Sequence, residues 1–231
     1  MHDIPTLSRP DIIRHLSDLS TEPFYDFYLD ILAKLNKIAL SAGEAVEGNI
    51  FYEHNSTALE ELSPRFLNKR RALAAAAQMF NNTLEIGFNA GHSALLLLIA
   101  NHKLNYTAID ICTHNYTIPC FEYLRSLFGN RINLVQGNSM HAFPLLNDHE
   151  FDFYIIDGGH GVEVAEADLK NVIKFGRHDS IILFDDSDFP QLRTIINMYL
   201  ISGKIIGISD PFWLLKNTNQ MFFINNNKNV K

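Results

Sequence analysis

The chain is expected to fold as an α/β protein, a mostly parallel sheet of seven strands with helices on both faces, preceded by a helical extension. Three observations predict this. From Thr83 onward short apolar runs alternate with helical runs, the pattern from which strand–helix–strand units build a parallel sheet. At the head of that stretch Leu84 to Ile86 enter a turn held by Gly87 and Gly91, and a helical run from Ser93 to Ala100 leaves it. Over the first eighty residues apolar positions recur instead at steps of three and four, the period of helices buried along one side. The organisation that follows is a helical extension or lid over 1–80, a ligand-binding domain over 81–225 and a flexible tail over 226–231.

In chain order, Ser8 with Pro10 and Asp11 starts a helix carrying Ile12, Ile13, Leu16 and Leu19. Pro23 opens a stronger one, in which Phe24, Phe27, Tyr28, Ile31, Leu32, Leu35, Ile38 and Ala39 make one apolar face and Gly43 marks the end. That face needs a cover, and the main domain, a substrate lid or a second subunit would each supply it. Glu47 to Thr57 breaks the period and reads as a loop; Pro64 to Met79, with its alanine run, reads as the helix leading into the central strand. Its cluster Lys69-Arg70-Arg71 reads as a solvated helix face, with a phosphate-bearing substrate as the alternative. The strands are expected at Leu84–Ile86, Tyr106–Ile109, Asn133–Val135, Phe153–Ile156 and Ile181–Phe184. Lys204–Ile208 and Met221–Ile224 are expected to form an antiparallel pair at the sheet edge. The asparagine-rich run from Asn225 reads as frayed.

Composition removes several classes of function. Across 231 residues, 47% are hydrophobic and 19% charged, as in a folded globular chain. A formal charge of -7 opposes general nucleic-acid binding, which needs an excess of Lys and Arg to neutralise phosphates. The 2 cysteines, Cys112 and Cys120, have neither metal-site spacing nor the number for a disulfide framework. No basic segment followed by an apolar core opens the chain, and no run approaches about 18 apolar residues. The expectation is a cytoplasmic protein that does not enter a membrane.

A strand that delivers its end to a helix N-terminus aims backbone N–H groups at a ligand, and glycines let the ligand approach the main chain. The spacing here is Gly-x-x-x-Gly, with Asn89 where a dinucleotide fold needs its second glycine, so a nicotinamide oxidoreductase does not fit. No Gly-Lys-Ser/Thr phosphate loop is present either. Leu84-Glu85-Ile86-Gly87 followed by Gly91-His92-Ser93 resembles motif I of class I S-adenosylmethionine-dependent methyltransferases. The likeness is greatest to the catechol and caffeoyl-CoA O-methyltransferases and to the bacterial sugar and macrolide O-methyltransferases. It covers Leu84 to Ile224 and implies a Rossmann-like sheet whose seven strands end in an antiparallel pair.

The resemblance also implies a cofactor site for S-adenosylmethionine. Asp110, after Tyr106-Thr107-Ala108-Ile109, is expected to accept hydrogen bonds from two ribose hydroxyls. Gly137, Asn138 and Ser139 fall in the segment that meets the adenine ring. Glu85, Gly87, Asn89, Gly91 and Ser93 match positions that hold or flank the methionine end; for Glu85, Asn89 and Ser93 the alternative is a purely structural role, Ser93 capping its own helix.

The chemistry is expected at the next two strand ends. Phe153 to Ile156 runs into Asp157-Gly158-Gly159-His160, and Ile181 to Phe184 runs into Asp185-Asp186. Adjacent strands lie about 5 Å apart, so three acids can converge, and a hard divalent cation would relieve their repulsion. The arrangement resembles the Mg²⁺ site of the metal-dependent O-methyltransferases, carried onto Asp157, Asp185 and Asp186; the alternative is that an acid caps the following turn. The Asp-Asp pair is more similar to the sugar enzymes, since the catechol type ends in Asn. His160 stands where the catechol type has its catalytic lysine and is the candidate general base, with Asp157 beside it in the catalytic and cofactor-binding set. His160 as a cofactor contact, metal ligand or turn residue is the alternative.

The expected function is therefore Mg²⁺-dependent O-methylation of a hydroxylated small molecule, a sugar or glycan ahead of a catechol. Phe51, Tyr52, Phe212 and Trp213 are candidate pocket aromatics, with a place in the core as the alternative. A metal-independent methyltransferase is one alternative. A non-catalytic cofactor-binding module working through its N-terminal helical surface, on a partner or a second copy, is another.

Overall fold

The computed structural model describes residues 23–53, 62–146, 150–208 and 219–228. The helix expected over Ser8–Leu19, the residues Phe212 and Trp213, and the last three of the tail lie outside them. The chain forms two compact units, one holding the segment up to Met79 with Phe88–Leu104 and Cys112–Ile132, the other Phe80–Gly87, Asn105–Ile111 and Asn133 onward.

The second unit carries the sheet. Its strands are β1 (Asn82–Ile86), β2 (Asn105–Asp110), β3 (Ile132–Gln136), β4 (Phe153–Ile156), β5 (Ile181–Phe184), β6 (Ile205–Gly207) and β7 (Met221–Asn225), so all seven expected strands form. The order across the sheet is β3-β2-β1-β4-β5-β7-β6. β1 is parallel to β2 and β4, and β4 to β5, whereas β7 runs antiparallel to both β5 and β6. The closing pair is thus antiparallel as expected, with β7 inserted beside β5 and β6 left at the edge.

Every residue of β4 is buried, which is why these strands read as unbroken apolar runs rather than alternating ones. Ala165, Leu169, Val172 and Ile173 bring one face of a helix (Val162–Phe175) onto Leu84, Ile86 and Ile109, and Leu192, Ile195, Ile196 and Tyr199 bring one face of another (Pro190–Ile201) into the same core. The tail differs from expectation. The side chains of Asn225 and Asn227 donate to the carbonyls of Ile173 and Gly176, where the first of these helices ends and its own carbonyls lack partners, and Asn226 donates to Gly203. Asparagine is spent there on capping rather than left in solvent.

The first unit contains α1 (Pro23–Ser41), α2 (Leu67–Ala77), α3 (His92–Ala100) and α4 (Thr117–Phe128); the helices of the second unit continue as α5 (Ser139–Ala142), α6 (Val162–Phe175) and α7 (Pro190–Ile201). Tyr28, Ile31, Leu32, Leu35 and Ala39 on α1 are all buried, so the face that needed a cover finds one within the chain. α1 lies against α4, where the Cys120 thiol reaches the Leu35 carbonyl. Lys69 and Arg70 are buried, which corrects the reading of that cluster as a solvated face. Arg70 donates to the carbonyls of Ile50 at 2.8 Å and Ser63 at 3.0 Å, tying the loop before α2 to the helix. Arg131 does the same at the end of α3, donating to the carbonyls of Leu98, Asn101 and Leu104. Among the described residues no helix is long and apolar enough to cross a membrane.

One buried polar chain joins α1, the following loop and α3. The Asn36 amide donates to the Tyr52 hydroxyl at 2.6 Å, its oxygen meets His92 Nε2 at 2.8 Å, and the rings of Phe51 and Tyr52 stand edge-on to the imidazole. Burial pushes the His92 pKa down to about 4. The unfolded chain binds this proton at about 6.5, so the contribution is complete above that pH and is lost as the pH falls toward 4. Wild type should lose roughly 2–3 kcal/mol between pH 7 and 4.5 from this group alone. Urea unfolding at the two pH values checks it: His92→Gln should be less stable at pH 7 yet show a shallower acid loss, and an unchanged slope would remove His92 as the cause.

Candidate active site

The backbone ladder of the sheet continues one step past the strand ends. Gly137 N–H donates to the Asp110 carbonyl at 2.8 Å, Gly87 to Ile109 at 2.9 Å, Asp157 to Ile86 at 3.0 Å and Asp185 to Ile156 at 3.0 Å. Five residues singled out by sequence, Gly137, Asp110, Gly87, Asp157 and Asp185, are thereby placed in consecutive register on the C-terminal edge of β3, β2, β1, β4 and β5. In an open α/β sheet that edge is where ligands bind.

Gly87 is required there by two separate constraints. Its φ is +99°, and a Cβ would run into the Asp157 carbonyl, 2.9 Å from its carbon. Asp110 is half-buried at the end of β2, and Gly137 leaves β3 into a turn where Asn138 caps α5 by accepting the Met140 N–H at 2.9 Å. Ser139 begins α5. Glu85 is enclosed within the sheet, where the Tyr106 hydroxyl of the neighbouring strand donates to its carboxylate.

Asn89, Gly91 and Ser93 belong to the first unit. Asn89 has φ +52°, and its amide donates to the carbonyls of Glu47 and Gly48, partners that sequence did not identify. Gly91, with φ +77°, occupies the cap position of α3, so Ser93 does not cap that helix. A Cβ on Gly91 would stand 2.6 Å from the Phe88 ring and 2.9 Å from Leu124.

At the far end of the sheet edge the two acids after β5 are already engaged. Asp185 is buried, accepts the Asp186 N–H at 2.7 Å, and receives the Gln220 amide at 3.4 Å. Asp186 has φ +49°; it accepts from Asn219 and pairs with His160 Nε2 at 2.9 Å. His160 lies in the turn after β4 with its ring 5.0 Å from that of Phe189. Asn219 and Gln220 were missed by sequence reasoning. The available signal was their place just before β7, because an antiparallel β7 beside β5 carries its start to the end of β5, where Phe184 pairs with Met221.

The expected metal set fares differently. Among the described residues no group of three or more His, Cys, Asp and Glu side chains stands where it could hold a metal ion. Asp157 and Asp185 are neighbours in register, but Asp186 is turned to His160 and Asn219, so the arrangement as it stands does not fit Mg²⁺.

A sequence model described as a methyltransferase domain matches residues 84–187. No curated protein matches the chain in sequence. Among solved structures, an O-methyltransferase from Bacillus cereus in complex with SAH is 15% identical with a TM-score of 0.60, over 94% of this chain and 97% of that one. An SAH-bound methyltransferase from Podospora anserina is 14% identical with a TM-score of 0.61, over 97% and 99%. A TDP-rhamnose 3'-O-methyltransferase of calicheamicin biosynthesis is 15% identical with a TM-score of 0.54, over 68% and 76%. These likenesses establish the fold, a Rossmann-like sheet closed by an antiparallel pair.

The Gly87 constraint is directly testable. Gly87→Ala adds a methyl where the backbone of Asp157 passes and in a conformation alanine resists, so it should destabilise the protein by about 2–5 kcal/mol. Denaturant unfolding measures this, with Gly43→Ala as control, since Gly43 also has a positive φ, +76°, and a Cβ there meets nothing within 4 Å. Equal losses in the two variants would mean that φ alone, and not the contact with Asp157, sets the requirement.

Proposed function

We propose, from the premise that residues 84–187 are a methyltransferase domain of the class I, S-adenosylmethionine-dependent kind, that this chain transfers a methyl group to an oxygen of a hydroxylated small molecule, a sugar or glycan by preference. The observation that carries the reading is the register of Gly137, Asp110, Gly87, Asp157 and Asp185 along one sheet edge, with a histidine–carboxylate pair at its end. S-Adenosylmethionine, when bound, supplies a methyl carbon activated by a sulfonium.

The residues of this edge divide the remaining work. Asp110 presents a half-buried carboxylate to two ribose hydroxyls, and the turn at Gly137, Asn138 and Ser139 takes the adenine side. Gly87, lacking a side chain, lets the cofactor lie close to the main chain beside Asp157. His160, whose Nε2–H donates to Asp186, keeps Nδ1 as an acceptor for the proton that the acceptor hydroxyl gives up while its oxygen displaces the sulfonium sulfur. In-line displacement needs alignment more than acid–base strength, and a fixed edge supplies it.

The sugar preference rests on the Asp185-Asp186 pair. The same pair, with Asp157, has the oxygen donors a hard divalent cation takes, and Mg²⁺ is the second reading; it requires Asp186 to exchange His160 and Asn219 for the ion. No step is derived through the metal.

Two measurements test these assignments. Calorimetric titration should give micromolar affinity for S-adenosylmethionine, and Asp110→Ala should weaken it by about 1.5–3 kcal/mol through lost charge-assisted hydrogen bonds; an affinity that is unchanged would remove Asp110 from the ribose. In an acceptor screen with hydroxylated compounds, turnover should persist in EDTA and fall at least tenfold in His160→Ala. Loss in EDTA with recovery on adding Mg²⁺ would favour the metal reading over the histidine pair.

A further inference from the structure

Helix α6 turns one polar face toward two of the strand-end segments just described. Asn171 donates from its amide to the carbonyls of Ser139 and Met140, at 3.3 Å each. Asp168, three residues earlier and so on the same side of the helix, has no exposed surface; neither of its carboxylate oxygens has a partner of full hydrogen-bond geometry, and the Ser139 hydroxyl stands close enough to favour its charged form. Its Oδ2 lies 3.3 Å from where a Cβ on Gly158 would stand, with Ile86 Cγ2 at 3.1 Å from the same point. Burial pushes its pKa up to about 6, and the nearby Ser139 hydroxyl pulls the other way.

Packing gives no reason for an acid at this position. Its neighbours on α6, Ala165, Leu169 and Val172, belong to the apolar core, and a leucine would add to that core without the penalty of a buried, unpaired carboxylate. What lies beside Asp168 are the Gly158 turn after β4, close enough that a Cβ there would meet its Oδ2, and the Ser139 hydroxyl after β3. We propose that Asp168 is a positioning residue for the cofactor, setting the Ser139 hydroxyl and the Gly158 turn from behind the strand ends so that both present their outer sides to the adenosine. The inference rests on the methyltransferase reading and deepens it, since it assigns part of cofactor affinity to a residue that never reaches the cofactor.

The experiment compares wild type with D168N, which keeps one acceptor oxygen and the side-chain volume, and D168L, which keeps roughly the volume alone. Calorimetric titration with S-adenosylhomocysteine should give a Kd at least tenfold weaker for D168L and within about threefold of wild type for D168N. Thermal unfolding of D168L should be no lower than wild type, and in the acceptor assay its loss should fall on the KM for S-adenosylmethionine, with kcat within about twofold. Should D168L fail to fold, D168A enters the same comparison. Wild-type affinity in D168L, or a loss in D168N as large as in D168L, overturns the proposal. A wild-type protein that binds no S-adenosylhomocysteine overturns the cofactor reading instead, and the proposal with it.

Discussion

The contact on which the site depends is the close passage of Gly87 over the carbonyl of Asp157. Parallel strands end at different heights unless something holds their ends in register, and here the hydrogen-bond ladder is carried one residue beyond β1 to β5 by main-chain N–H groups of Gly137, Gly87, Asp157 and Asp185. At Gly87 the two chains are so close that no side chain fits. The consequence is a straight edge on which a carboxylate, two glycines and two further carboxylates are spaced by the fixed interval between strands, about 4.8 Å.

The electrostatics of the edge follow from the order of the strands. Two adjacent acids after β5 would repel each other and, with Asp185 buried, would suffer from lost hydration as well. β7 resolves this by running antiparallel into the place beside β5, so that its leading residues, Asn219 and Gln220, arrive with amide donors for Asp186 and Asp185. Ser187 then closes the turn by donating from both its N–H and its hydroxyl to the Asn219 carbonyl, each at 2.7 Å. His160 meets Asp186 from the other side, its Nε2 2.9 Å from the carboxylate. Two neutral amides thus supply hydrogen bonds to the paired acids.

Strand positions, the glycine turn and the order of acids along the edge were legible in the sequence because each is a local pattern: an unbroken apolar run, a positive-φ glycine, a polar residue just after a buried strand. What escaped was set by distant partners. Lys69-Arg70-Arg71 has the charge of a solvated face, yet Arg70 is buried because two carbonyls twenty and seven residues away in sequence lacked donors. The asparagines from Asn225 have the composition of a frayed tail, yet they cap the end of α6 some fifty residues earlier. Glu85 and Asn89 lie in the motif that suggested cofactor contacts, but their visible partners are Tyr106 and the carbonyls of residues 47–48. Periodicity reports which side of an element is buried; it carries no information about which polar group will be waiting there.

Among the described residues of the second unit, Glu85 and Asp168 are both fully buried carboxylates, and they contrast. Glu85 sits between β1 and β2 with the Tyr106 hydroxyl on its carboxylate, an arrangement that joins two strands and explains itself as structure. Asp168 sits beside the Gly158 turn and the Ser139 hydroxyl with no hydrogen bond of full geometry to either oxygen. A buried carboxylate in that state weakens the fold relative to an apolar side chain of equal size, so its presence has to be accounted for by something other than stability. The two turns beside it are the ones the proposal assigns to the adenosine, and where binding residues are placed by backbone register, the remaining freedom lies in how such turns tilt. A group that restrains the tilt acts on affinity while standing outside the pocket, and the destabilisation it brings is the physical mark by which it can be told from core.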